Sequence, residues 1–184
     1  HSNRSFTVGC VFIFEKDFND ETTRSALVPV LEYVAAENRP VLIIAKSYGD
    51  MALSITVKNK GMGVVKCAAV KAPFHKEWQT NFMQDLAIIT GGKVFNPDIH
   101  DFDPSFLGSA RKIVVKTTET VIIDAKGDKD QILDHLKTLK LYVDDAESDY
   151  IREKQQERMG RLTGRVAVFH VGGHNDVERL ERKD

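Results

Sequence analysis

An α/β fold, with a mainly parallel sheet flanked by helices, is what the sequence predicts, and three observations predict it. Short continuous apolar runs at 8–14 (VGCVFIF), 41–44 (VLII) and 64–70 (VVKCAAV) read as strands buried on both faces. Amphipathic segments of helical period lie between them. The two kinds alternate as β-α-β-α-β-α-β as far as Val94-Phe95, the order in which a crossover helix returns the chain to a parallel neighbour.

Each element has its own local signal. Asp20 is placed to cap a helix over 21–37, which Asn38-Arg39-Pro40 stops because the residue before a proline disfavours helical backbone. A helix follows over 50–60 and is broken by Gly61 and Gly63. Another over 77–90 ends at Gly91-Gly92, residues suited to a left-handed C-terminal cap. Ile113-Val114-Val115 and 120–124 (TVIID) read as a pair of strands around Thr117-Thr118-Glu119. Over 129–145 and 148–162 the period becomes helical and the surface charged, the pattern of an antiparallel helical hairpin. Residues 166–171 (VAVFHV) return as a strand before a last helix near Asp176. The composition shift near Asp145 divides the chain into 1–145 and 146–184.

The totals narrow the function. A chain of 184 residues forms one good-sized domain, or one with a small appendage. With Lys+Arg 26 against Asp+Glu 27, the formal charge of −1 leaves no electrostatic footprint for nucleic acid and no polybasic membrane anchor. No apolar stretch is long enough for a transmembrane span. Cys10 and Cys67 sit in apolar, strand-like runs and are expected as buried core thiols rather than a redox pair, which suits a reducing compartment. The opening His1-Ser2-Asn3-Arg4-Ser5 reads as a scar and the closing Glu181-Arg182-Lys183-Asp184 as an interrupted helix, so an excised piece is expected.

No catalytic constellation assembles. Glycine-rich phosphate loops, the nucleophile elbow and the zinc-protease motif are all missing from the sequence. Gly91-Gly92 and Gly172-Gly173 read as caps or turns. His170 and His174 fall in a strand and a turn and share no helical face, so no metal is assigned to them. Asp144-Asp145 and Asp98, Asp101 and Asp103 stand where loops and caps put carboxylates. The expectation is a chain with no catalytic residues, no metal and no cofactor of its own.

Two helices carry more apolar residues than one buried face needs. Leu27, Val30, Leu31 and Val34 satisfy a sheet-packing stripe, yet Val28, Leu31 and Ala35 make a second, overlapping one. In the next helix Met51, Ala52, Leu53, Ile55 and Val57 are apolar, and Leu53 with Val57 face away from Ala52 and Ile55. Either the helices are buried on two sides, or an apolar groove between them is exposed for a partner.

The ordered segments Leu27-Val28-Pro29-Val30-Leu31-Glu32, Arg39 through Ala45, and Val64 through Pro73 resemble the apical domain of the group I chaperonins (the GroEL family). So do Gln84-Asp85-Leu86-Ala87, Thr90-Gly91-Gly92, Leu107-Gly108-Ser109-Ala110, Ser148 through Lys154, Gln156-Glu157-Arg158 and Gly164 through Val171. The resemblance implies an apical-type domain that grips non-native polypeptide, with the charged helical segment and terminal strand from 146–184 leading into a partial intermediate domain. It implies apolar binding contacts at Val28, Leu31, Leu53 and Val57, with Ala35, Met51, Ile55 and Lys58 on the groove rim. Lys58 stands where the family has an aliphatic, Met51 and Ile55 where it has polar residues, and Phe74-His75-Lys76-Glu77-Trp78 where it has a glycine-containing loop. The partners implied are unfolded or partly folded polypeptides and a co-chaperonin ring. ATP and Mg belong to the full-length parent, a ring oligomer, whereas the fragment is expected to be a monomer without ATPase activity. The implied location is the cytoplasm or an organellar matrix, or the host cytoplasm for a phage-encoded relative. The rival readings are a self-associating structural domain and a small α/β enzyme with no recognisable site.

Overall fold

A computed structural model describes residues 4–6, 9–15, 20–46, 66–116 and 118–170. In chain order it has strands β1 (Arg4–Phe6) and β2 (Gly9–Phe14), helix α1 (Asp20–Ala36), β3 (Val41–Ala45) and β4 (Cys67–Lys71). Helix α2 (Lys76–Thr90), β5 (Val94–Phe95), a 3-10 turn (Pro104–Phe106), β6 (Gly108–Val115) and β7 (Glu119–Ala125) follow. Helices α3 (Lys129–Asp144) and α4 (Asp149–Gly164) precede β8 (Ala167–His170). The predicted helix over 50–60 with its glycine break, Val64-Val65, Gly172-Gly173, His174 and the helix near Asp176 lie outside the described residues.

The fold is α/β, and the sheet is mixed rather than mainly parallel. Its order is β4-β3-β2-β6-β7-β8, with β5 beside β2 and β1 beside β6. The β2–β3, β3–β4 and β2–β5 pairs are parallel, as the alternation up to Val94 requires. The β2–β6, β6–β7, β7–β8 and β1–β6 pairs are antiparallel. The reason is the connection after β5: a loop and one 3-10 turn lead to β6, and the short link to β7 makes a hairpin, which joins antiparallel strands. Strand β2 divides one edge between neighbours, pairing Gly9–Val11 with β6 and Ile13–Phe14 with β5.

Alternation along the central strands builds two cores. Cys10, Phe12 and Phe14 of β2 point to one side, with Val41 and Ile43 of β3, and meet Leu27, Val30, Leu31 and Val34 of α1. Val11 and Ile13, with Leu42 and Ile44, point to the other and meet Phe82, Met83, Leu86 and Ile89 of α2. Ile132 and Leu139 of α3 and Leu162 of α4 join this second core, as do Ala167 and Phe169 of β8. The tail of the described chain is therefore packed on the same sheet as its start.

The helix ends follow their sequence signals. Asn38 adopts φ 53° after α1, and the Arg39 N–H reaches the Val34 carbonyl at 2.9 Å, closing the helix with a left-handed residue that asparagine tolerates. Gly91 ends α2 at φ 83° with its N–H on the Ala87 carbonyl. Asp128 caps α3 by accepting from the Gln131 N–H, and Ser148 caps α4 by accepting from the Ile151 N–H. Gly127 is needed for space: a Cβ there would stand 2.2 Å from the Ile88 carbonyl oxygen. Among the described residues, no helix is long and apolar enough to cross a membrane.

Candidate functional site

Successive residues of α1 turn by about 100°, so the helix divides into a buried face, a flank and an outer face. Ala26, Leu27, Val30 and Val34 form the buried face. Val28 and Ala35, two turns apart on the flank, are half-buried, while Glu32 and Ala36 are exposed. Leu31, expected in the open groove, is instead 2% exposed. Its position four residues after Leu27 brings it to the margin of the sheet-packing face, where it joins the same core. The flank that could meet a partner therefore narrows to Val28 and Ala35. Leu53, Val57, Met51, Ile55 and Lys58, expected as the second wall and rim, lie outside the described residues.

The opposite side of the sheet holds a buried charged cluster that periodicity alone does not reveal. Asp85, 1% exposed, receives two hydrogen bonds from Arg158: Nε to Oδ2 at 2.7 Å and Nη2 to Oδ1 at 2.9 Å. Nε2 of His135 lies 2.8 Å from Oδ1 of Asp85, and Nη1 of Arg158 donates to Gln155 Oε1 at 3.0 Å. One carboxylate thus ties α2 to α3 and α4. The sequence does carry a signal: Asp85 interrupts the apolar stripe Phe82–Leu86–Ile89, and Arg158 precedes buried Leu162 by one turn. A charge on a buried stripe requires a counter-charge, but spacing does not say that it stands 73 residues away.

Arg161 is the less satisfied member of the cluster. Its Nη2 is 3.9 Å from Asp85 Oδ2, and its Nε is buried without a hydrogen-bond partner. Burial pushes the guanidinium below its ordinary pKa, opposed by the negative charges of Asp85 and Glu157. The group lies 5.1 Å from the Phe82 ring centroid and 6.0 Å from that of Phe74.

Phe74 belongs to the loop between β4 and α2. Phe74 and Lys76 both have positive φ, 68° and 52°, a conformation unfavourable for side chains with a Cβ. The surroundings hold it: Gln79 Nε2 donates to the Ala72 carbonyl at 3.1 Å, and Phe74 packs edge-on against Phe82 at 5.8 Å. Even so, Phe74 remains 39% exposed.

Cys10 and Cys67 are both buried, in keeping with their apolar neighbours. The Cys10 thiol donates to the Pro40 carbonyl at 3.3 Å, and burial raises its pKa by disfavouring the thiolate. Among the described residues, no three His, Cys, Asp or Glu side chains converge in a way that could hold a metal ion. No protein-family model matches this chain.

Proposed function

We propose that this chain binds non-native polypeptide through an apolar groove whose first wall is the flank of α1, as the apical part of an ATP-driven chaperonin. One observation carries the reading: Val28 and Ala35 remain half-buried beside a helix whose sheet-facing residues are already fully packed. Apolar surface left over after the core is complete is what a promiscuous binder requires, because apolar burial is non-directional and rewards area rather than sequence. The ordered chaperonin-like segments, and the apolar Leu53 and Val57 of the following stretch, support the same reading. Leu31 serves it from beneath, as packing that holds α1 in place.

The proposed occupants are unfolded or partly folded polypeptides, with a co-chaperonin ring as a competing partner of the same groove. ATP, Mg and ring assembly are assigned to the full-length parent. Capture of a chemically denatured client on the immobilised domain tests the reading. Leu53→Ser is expected to weaken capture about tenfold or more, since a fully engaged leucine contributes roughly 1.5–3 kcal/mol. Unchanged capture by Leu53→Ser and Val28→Ser together would overturn it.

A further inference from the structure

We draw no further inference here: the strongest candidate, the open cleft of about 420 Å³ between α2 and the α3–α4 turn, rests on the exposed carboxylates of Glu77, Asp145 and Glu147 alone, and nothing among the described residues shows what would occupy it.

Discussion

On one side of the sheet α1 meets Phe12, Phe14, Val41 and Ile43 with aliphatic side chains; on the other, α2, α3 and α4 close around the carboxylate of Asp85. The first contact is tolerant. Its energy grows with buried area, and a side chain of similar volume can replace any member at modest cost. The second is intolerant, because each ion out of water depends on partners drawn from helices far apart in sequence. The difference suits the proposed division of labour: an adaptable apolar side that carries a groove, and a fixed side that holds the helices in register.

Breaking the charged side is expected to have the largest effect. Asp85→Ala leaves Arg158 buried at 4% exposure without its carboxylate, and a loss of about 3–5 kcal/mol in urea unfolding is expected. Arg158→Met should cost less, because Asp85 keeps His135 at 2.8 Å and Arg161 nearby. Equal losses in the two variants would show that the cluster is not centred on Asp85.

The apolar side comes next. Leu31→Ala is expected to cost about 2–5 kcal/mol, as for a leucine 2% exposed within a packed core. A cost near zero would restore Leu31 to the groove surface. Cys10 gives a smaller effect, visible in pH. Its folded pKa is raised above the ordinary 9.0, so the native state holds the proton more tightly than the unfolded chain. The stability from this protonated thiol is present below pH 9.0 and is lost as pH rises towards the folded pKa. Cys10→Ala should flatten that alkaline decline, and an unchanged slope would assign it to other groups. The smallest effect belongs to the surface pair Arg111–Asp124, both partners more than half exposed. Arg111→Ala should change stability by at most about 1 kcal/mol.

How much of this is legible in the sequence depends on the range of the interaction. Strands β2 and β3, helix α2 and the α3–α4 hairpin follow from local period, proline and glycine signals, and their observed limits differ from the expected ones by a residue or two. Strand β1 escapes such a reading because Arg4-Ser5-Phe6 has no alternation over its three residues, and its pairing with Ile113, Val114 and Val115 of β6 is a tertiary event. The mixed sheet escapes it for a related reason. Alternation of strands and helices stops at β5, and the direction of β6 is set by a loop that has no periodic signal.

The candidate site divides in the same way. The overlapping stripes on α1 are visible in the sequence, but spacing does not say on which side of the boundary Leu31 falls, because a residue at the margin of a helix face is assigned by its neighbours in space. Asp85, Arg158 and Arg161 are each visible as charges near apolar positions, and only their convergence makes them a cluster.

Polypeptide binding by this chain requires that the flank of α1 and the stretch that follows it be surface rather than core. The most direct measurement is paired: urea unfolding and capture of a denatured client, on Val28→Ser and Leu53→Ser, with Leu31→Ser as the buried control. Val28→Ser and Leu53→Ser are expected to lose capture while keeping stability to within about 1 kcal/mol, whereas Leu31→Ser loses stability first. Val28→Ser and Leu53→Ser proteins that are destabilised by several kcal/mol yet capture the client as before would contradict that surface placement, and would make these side chains ordinary core.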